Sequence, residues 1–445
     1  MALRDDLQTV EERVPESIED LRRNVDPEWV LRALEAGGVA TLRKRRLPAE
    51  QVVWLAIGMA LYRNRSIHEV VGKLDLALPG PTPTVVSSSV FEARTRVGAE
   101  PLKWLFCTTA EKWASESAGA HCWRGLSVWG VDGTTLRVAD TQENADAFGY
   151  AKSARGESAY PLVRAVALMA LRSHLLLDVA FGDSRVGEVT YAKKLWVKVP
   201  DHSLTIVDRG FFSASALLAL ARSGEERHWL TRAKKNFRWT VLRSLGPGDD
   251  LVEMKVSPQA RKADPSLPER WVMRAIRYQR KGFRPQVLLT SLLDPLLFPA
   301  KDIARLYHER WEIELGYDEM KTEMLDREES LRSKAPTAVE QEIWGLFIAY
   351  NLVRLEMERA AKELGIEPTR ISFRAAFMLV SDEWLWCALA SPGAIPKHLA
   401  NLRRSLAWLV LPERRTERTY PRAVKIKMSN YPRKRRQPIA SAPPA

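Results

Sequence analysis

The 445-residue chain is 46% hydrophobic and 28% charged, which excludes a disordered chain or a small disulfide scaffold and allows two to four domains. Its formal charge of +13 is concentrated in two segments: Arg414 to Arg436 carries +9, Lys234 to Arg284 carries +8, and the remainder sums to −4. Such clusters favour binding to the phosphate backbone of a nucleic acid, although a basic tail or loop alone is often only solvated.

The three cysteines, Cys107, Cys122 and Cys387, are far apart in the sequence. Their spacing supports neither a disulfide framework nor a zinc site. The acidic N-terminus has no apolar signal segment, and the best apolar run, 161–182, is interrupted by arginines. We therefore expect a cytoplasmic protein without a membrane span. No Walker-type glycine loop occurs, so no nucleotide cofactor is expected.

Residues 1–120 are predicted to form a helical N-terminal domain that binds DNA. Apolar residues at helical spacing begin within 1–36, and Ser66 is placed to cap a short helix. A further helix near 86–97 carries Arg94 and Arg96, which are candidate DNA contacts in a helix-turn-helix arrangement. Short helices in series also pack together without any such role, and the pattern alone does not decide between the two.

Residues 121–233 change to an α/β pattern, and a mixed sheet with an antiparallel edge is predicted. Asp132 follows the apolar strand pattern that begins at Leu126, and Asp208 follows the strand pattern 204–207. A carboxylate fixed at a strand end can bind a metal at the rim of a sheet. Aspartates in this position also cap turns and helices, so the pair alone leaves both interpretations open.

The remaining segments differ in composition. Residues 234–286 are basic and interrupted by proline and glycine, which predicts a β-rich insertion, and 287–335 return to the core pattern. Residues 336–412 have amphipathic helical spacing and could mediate dimerisation, whereas 413–445 form a basic tail predicted to be mobile.

A long helix predicted from Asp302 to about Leu325 carries four chemically versatile side chains at intervals of three, four and seven residues. In an α-helix this spacing puts them on one face. The face would offer a carboxylate for a metal, and a phenol, a guanidinium and an ammonium for phosphate oxygens. Solvated helices carry similar charges for simple ion pairs. The four residues are Tyr307, Arg310, Glu314 and Lys321.

These four residues, written as Tyr-x2-Arg-x3-Glu-x6-Lys, resemble the signature of the IS4-family DDE transposases of bacterial insertion sequences. Asp132-Gly-Thr is similar to the first aspartate motif of that family, and Asp208-Arg-Gly-Phe is similar to the second. The segment Pro27 to Leu74 and the sequence Ala93-Arg-Thr-Arg-Val-Gly98 resemble its N-terminal domain. The resemblance thus covers nearly the whole chain up to the basic tail.

The resemblance implies an RNase H-like catalytic core interrupted by the β-rich insertion. It further implies that Asp132, Asp208 and Glu314 hold two divalent cations, for which Mg²⁺ is the natural choice and Mn²⁺ a substitute. Tyr307, Arg310 and Lys321 would hold the DNA end near the scissile phosphate. The expected activity is binding of the terminal inverted repeats, cleavage at the element ends and transfer of the 3′ ends to target DNA, in a homodimeric complex.

Other contacts to DNA are expected from aromatic and basic residues. Trp311 or Trp271 could stack on a displaced base, although buried tryptophans usually belong to the core. The tail contributes a basic cluster that comprises Arg433, Lys434, Arg435 and Arg436. Two alternatives to a transposase remain at this point: a non-catalytic, domesticated DNA-binding protein and a structure-selective nuclease with the same core.

Overall fold

The computed structural model describes residues 27–39, 47–74, 87–153, 156–234, 237–279, 284–326, 330–387 and 395–412. Most of the helical pattern predicted within 1–36 and the whole basic tail, including Arg433, Lys434, Arg435 and Arg436, lie outside these ranges.

Five helices make up the described N-terminal part: α1 (Pro27–Ala36), α2 (Ala49–Leu61), α3 (Ile67–Lys73), α4 (Ser87–Val97) and α5 (Glu100–Ala120). The predicted cap at Ser66 is confirmed, because its side chain accepts from the Glu69 amide while the Glu69 carboxylate accepts from the Ser66 amide. Helix α2 is buried on nearly every side, which agrees with its apolar residues lying all around the helix.

The α/β region begins with β1 (Ser127–Arg137), α6 (Gln142–Phe148), the short pair β2 (Lys152–Ser153) and β3 (Gly156–Glu157), β4 (Leu162–Ala170) and β5 (Leu176–Asp183). It continues with α7 (Glu188–Leu195), β6 (Ser203–Val207), a 3₁₀ turn (Arg209–Phe211), α8 (Ala214–Arg222) and β7 (Arg227–Arg232). The strands lie in the order β5-β4-β1-β6-β7, and β4 runs antiparallel to both of its neighbours, whereas β1, β6 and β7 are parallel. This topology confirms the predicted RNase H-like core with an antiparallel edge.

The prediction that Asp132 ends its strand is wrong. Strand β1 continues to Arg137 because β4 pairs with it in an unbroken register, in which Asp132 faces Ala167. The parallel pairing with β6, by contrast, ends at Val131 opposite Val207. Asp132 therefore lies where β1 loses one of its two neighbours.

The predicted insertion is β-rich and extends the same sheet. Its elements are β8 (Thr240–Gly246), β9 (Asp249–Lys255), α9 (Pro258–Ala263) and β10 (Arg270–Tyr278), and β11 (Gln286–Thr290) follows. Strand β11 pairs with β7 on one side and β10 on the other, which gives nine strands in all. The buried Arg274 forms an ion pair with Asp249 and donates 2.7 Å to the carbonyl of Phe298, so β10 is tied to the loop before the next helix.

The segment predicted as one long α-helix is helical throughout, but the type of helix changes along it. It comprises α10 (Ala300–Leu306), a 3₁₀ turn (Tyr307–Arg310), α11 (Trp311–Asp318) and a π-helical turn (Glu319–Met324). Hydrogen bonds in the π turn run from i to i+5, so each residue turns through a smaller angle than in an α-helix. Lys321 is therefore rotated away from the face that it would share with Glu314 in a continuous α-helix.

The C-terminal region contains α12 (Pro336–Leu364), a 3₁₀ turn (Pro368–Arg370), α13 (Phe373–Cys387) and α14 (Ile395–Leu406). Helix α12 packs directly on α2, and a Cβ atom added to Gly345 would lie 2.4 Å from the carbonyl oxygen of Ala56. The buried Glu342 accepts from Arg63 and from the amide of Arg332, which ties the N-terminal helices to the segment after the π turn. Within the described ranges, no helix has the length and apolar character needed to cross a bilayer.

Candidate active site

The two aspartates lie at the same level of the sheet because their strands are parallel neighbours. Val131 and Val207 are the last register partners of β1 and β6, so Asp132 and Asp208 are each the next residue. The side chain of Asp208 accepts from the Gly210 amide at 3.4 Å, which places it at the start of a 3₁₀ turn. The two residues thus leave the parallel ladder at the same level.

Arg310 links Asp132 to Glu314. Its Nη2 donates to Glu314 Oε1 over 2.6 Å, and its Nη1 lies 3.6 Å from Asp132 Oδ2. The predicted proximity of Arg310 and Glu314 is therefore confirmed, and the structure brings both to the first aspartate.

Asp132 has an unusual electrostatic environment. Burial raises the pKa of its carboxyl group to about 6, and the nearby charges of Glu188 and Glu314 add to the shift. The hydrogen bond from the Gly133 amide, 2.8 Å long, and the charge of Arg310 act in the opposite direction. Strongly perturbed carboxylates of this kind are typical of functional sites.

A cleft of about 220 Å³ opens beside this group and contains Asp208. Burial raises the pKa of Tyr307, on the cleft wall, to about 12, so its phenol stays protonated and able to donate. The wall combines hydrogen-bond donors, cations and aromatic rings, which suits a phosphate and its nucleoside. Its other lining residues are Arg232, Tyr278, Arg284, Gln286, His308, Arg310 and Trp311.

Several residues at the site have no motif in the sequence that would have identified them. Glu188 begins α7 and reaches the sheet beside Asp132, since a Cβ atom added to Gly133 would lie 2.6 Å from Glu188 Cδ. Arg232 ends β7 and Tyr278 ends β10, and both enter the cleft only because β11 joins those strands in one sheet. Inspection of the polar residues at the ends of predicted strands could have identified Arg232 and Tyr278 as candidate site residues.

A buried polar network supports the helix that carries Glu314. Glu319 accepts from Arg354 and, over 2.8 Å, from the hydroxyl of Tyr350. His174 lies 3.0 Å from Glu312 and 3.4 Å from Glu319 through its two ring nitrogens. Burial alone would raise the pKa of Glu319, but Arg354 and His174 outweigh it and hold the pKa at about 2. The π turn that follows Glu314 is thus anchored by a charged group in the interior.

Two of the residues predicted to contact DNA are buried in the fold. Arg94 is only 7% exposed, and its guanidinium donates to Gln341, Ser333 and Ala338 at 2.8 to 3.1 Å. Its charge is therefore used within the protein, where it joins α4 to the segment that starts α12. Trp271 is 6% exposed and stacks on Phe212 with ring centroids 5.3 Å apart, so it belongs to the core.

The other predicted contacts have different surroundings. Trp311 is 54% exposed at the cleft, with the Arg310 guanidinium 5.9 Å from its ring centre. Arg96 is half-buried and donates to the carbonyl of Leu47 at 3.1 Å. Lys321 is half-buried in the π turn. Their roles toward DNA stay predictions.

The residues at the site have the chemistry of a divalent-metal centre. Asp132, Asp208 and Glu314 supply carboxylate oxygens, the donors that Mg²⁺ prefers, and cations would relieve the repulsion around Asp132. Among the residues that the structure describes, no three His, Cys, Asp or Glu side chains are gathered into a single-ion cluster. Arg310 supplies the positive charge between Asp132 and Glu314.

Comparison with known proteins shows the family of the chain. Residues 15–107 match the family model described as insertion element 4 transposase N-terminal, and residues 123–352 match the model described as transposase DDE domain. Transposase InsG for insertion sequence element IS4, from Escherichia coli (strain K12), is 42% identical over 409 residues, which cover 92% of this chain and 92% of that protein. A cryo-EM structure of a piggyBac transposase synaptic complex with hairpin DNA is 12% identical with a TM-score of 0.45, over 90% of this chain and 86% of that chain, a similarity too low to support an argument. The chain therefore belongs to the IS4 family of DDE transposases and is a DNA transposase.

Proposed function

We propose that this transposase binds the terminal inverted repeats of its own insertion sequence, cleaves DNA at the element ends and transfers the 3′ ends into target DNA. The observation that carries the proposal is the contact group of Asp132, Arg310 and Glu314, beside a cleft that contains Asp208. Carboxylates, a guanidinium and a protonated phenol in one place are the groups that phosphodiester cleavage requires.

DDE transposases are metal-dependent, and we propose Mg²⁺ as the metal, with Mn²⁺ as a substitute. Asp132, Asp208 and Glu314 would hold two ions, since hard carboxylate oxygens suit both metals. When bound, the ions supply activation of the attacking water or 3′-hydroxyl and stabilisation of the leaving 3′-oxygen.

The protein's own side chains would position the DNA end. Arg310 is suited to grip a phosphate through two parallel hydrogen bonds, and Tyr307 can donate one from the cleft wall. Lys321 would add a positive charge to the backbone further along, and the exposed ring of Trp311 offers a stacking surface for a base. In this role Arg310 would exchange its carboxylate contacts for phosphate contacts when the end enters.

We propose that further DNA contacts come from the N-terminal region 1–120, the insertion 234–286 and the tail 413–445. The two basic segments carry +9 and +8 while the rest of the chain sums to −4, which supports a role in backbone binding. Synapsis of two ends requires two active sites, so the working complex would be a homodimer, with 336–412 as its candidate interface. Strand transfer exchanges one phosphodiester for another and needs no nucleotide. Its substrates would be nucleoid or plasmid DNA in the bacterial cytoplasm.

The test uses a duplex that carries the inverted repeat found beside the gene. Wild-type protein with Mg²⁺ should cleave at the repeat boundary, and D132N, D208N and E314Q should each lose cleavage by about 10³-fold or more while still binding the duplex. D201N is a matched control, because Asp201 pairs with Arg227 away from the cleft. Cleavage that survives in D208N would refute the assignment of the site. General cutting of branched DNA without regard to the repeat would refute the substrate.

A further inference from the structure

The hydroxyl group of Tyr317 is inserted between β1 and β4. It donates to the main-chain carbonyl of Asp132 over 2.7 Å and accepts from the Ala167 amide over 3.0 Å. Asp132 and Ala167 are register partners in the antiparallel ladder. The hydroxyl therefore bonds to the C=O of one register partner and to the N–H of the other, and so links the two strands at the level of Asp132.

Tyr317 lies on the same helix as Glu314, one turn later. Residues three apart on a helix are neighbours on its surface, so the two side chains leave α11 on the same side. One turn of α11 thus supplies a carboxylate to the site and a hydroxyl to the backbone of the aspartate. Burial raises the pKa of Tyr317 well above its usual value, so the hydroxyl stays protonated and available as a donor.

The helix can reach the sheet at this level because two glycines allow close packing. A Cβ atom added to Gly316 would lie 2.5 Å from Met169 Cε, and one added to Gly130 would lie 2.5 Å from Leu171 Cδ2 and 3.5 Å from Ile313 Cβ. Helix α11 is therefore seated directly on β1 and β4, beside Asp132. A buried tyrosine often finds a backbone partner for its hydroxyl, but here the partner is Asp132, the residue that directly follows the last pair of β1 with β6.

We propose that Tyr317 is a positioning residue for DNA cleavage, whose hydroxyl sets the separation between Asp132 and the helix that carries Glu314. This inference rests on the proposed function, in which those two carboxylates hold metal. The hydroxyl would act through the main chains of Asp132 and Ala167 and not through direct contact with metal or DNA. Its loss should therefore weaken the use of metal rather than the binding of the DNA end.

The experiment compares Y317F with Y62F in the full-length protein. Both variants remove the hydroxyl of a buried tyrosine that donates to a main-chain carbonyl, but that of Tyr62 donates to Ser381 and not to Asp132. Thermal melting, affinity for the inverted-repeat duplex and the single-turnover cleavage rate are measured over a series of Mg²⁺ concentrations. D132N is included in the same series.

Y317F should bind the duplex like the wild type, need several-fold more Mg²⁺ for half-saturation and cleave about 10- to 100-fold more slowly at limiting Mg²⁺. Mn²⁺, which binds oxygen sites more tightly, should restore part of the rate. Y62F should keep the wild-type Mg²⁺ requirement even if its melting temperature falls as much. An unchanged Mg²⁺ requirement in Y317F, or an equal shift in Y62F, would overturn the inference.

Two further results separate the possible failures. If D132N still cleaves, the proposed function fails; if D132N is inactive and Y317F behaves like the wild type, only the role of Tyr317 fails. Should Y317F not fold, 4-aminophenylalanine at residue 317 takes its place, because its amine donates to Asp132 but accepts poorly from Ala167. An intermediate shift in Mg²⁺ requirement is then expected, and a wild-type requirement would contradict the proposal.

Discussion

Arg310 donates a 2.6 Å hydrogen bond to Glu314, one helical turn later, while its other terminal nitrogen points to Asp132 at 3.6 Å. The positively charged guanidinium therefore lies between the carboxylate groups of Asp132 and Glu314. In R310Q the Mg²⁺ affinity of the free protein, measured by calorimetry, should rise because a competing positive charge is gone. Cleavage should nevertheless fall by about 10²- to 10³-fold, since a donor to the phosphate is lost. R305Q, an exposed position on α10, is the control, and a parallel loss of metal affinity and cleavage in R310Q would contradict this account.

The raised pKa of Asp132 predicts a pH-dependent affinity for metal. Burial lifts the pKa from 3.8 to about 6, so below pH 6 the carboxyl group is mostly neutral in the free protein. Mg²⁺ affinity should therefore weaken as the pH falls through about 6. By the same shift, the contribution of Asp132 to folding stability is greatest below pH 4 and is lost as the pH rises through about 6.

The E188Q variant tests whether Glu188 contributes to the raised pKa of Asp132. Removing the negative charge of Glu188 should lower the pKa of Asp132 and move the pH profile of Mg²⁺ binding toward acid. E116Q, an exposed position on α5, should leave the profile in place. An unchanged profile in E188Q would show that Glu188 does not act on Asp132.

The ion pair of Glu319 and Arg354 should be important for stability. R354M would leave Glu319 buried without its partner, and the free energy of unfolding should fall by about 3 to 5 kcal/mol. R32M, at an exposed arginine that pairs with the exposed Glu28, should cost about 1 kcal/mol or less. Denaturant unfolding of the two variants makes the comparison.

The lowered pKa of Glu319 adds a pH signature to the same network. Its carboxylate contributes stability above its ordinary value of 4.5, and that contribution is lost as the pH falls toward about 2. The acid-induced loss of stability in this window should be smaller in R354M than in the wild type. An identical loss in both proteins would exclude Glu319 as its source.

The two tryptophans that were predicted to stack on DNA should behave in opposite ways. W311A should weaken binding of the cleaved end by about 1 to 3 kcal/mol with no change in melting temperature, because the ring is exposed at the cleft. W271A should destabilise the fold by about 3 to 5 kcal/mol, since it removes a ring from a packed aromatic cluster. Duplex-binding and melting assays on both variants test the distinction.

The basic tail and the basic insertion should also differ in their effects on DNA binding and cleavage. Neutralising Arg433, Lys434, Arg435 and Arg436 should weaken binding to all DNA sequences alike and reduce the slope of log affinity against log salt by up to about 4. Neutralising Arg243 and Lys255, exposed on the insertion, should impair cleavage as well. Equal effects on cleavage from both sets would remove the distinction between them.

Local patterns in the sequence predicted much of the core. The short apolar runs 204–207 and 287–290 are buried strands, as continuous apolar runs in a sheet usually are. The end of β1 was missed because Gly133 to Arg137 pair with β4 alone, and half-covered strands lack that continuous signal. The π turn at Glu319 was missed because its sequence has no local signal for this winding, and the contact of Glu319 with Arg354 comes from another helix.

The roles of single arginines depend on partners that are remote in sequence. Arg94 and Arg310 both sit on helices and count equally toward net charge, yet one bonds to α12 and its preceding segment while the other faces the active site. Glu188 and Arg232 reach the site through the order of the strands. No local spacing encodes contacts of this kind, so they require the three-dimensional fold.

The pairing of β11 with both β7 and β10 bears on how the insertion could have been acquired or could be removed. A domain inserted through two flexible linkers can be excised, and its host closes over the gap. Here β10, β9 and β8 pair in turn outward from β11 and extend the core sheet by three strands. Excision of 234–286 would leave β11 with an open edge and would release the loop that Arg274 holds ahead of α10. We expect shortened relatives, where they exist, to cap that edge by other means.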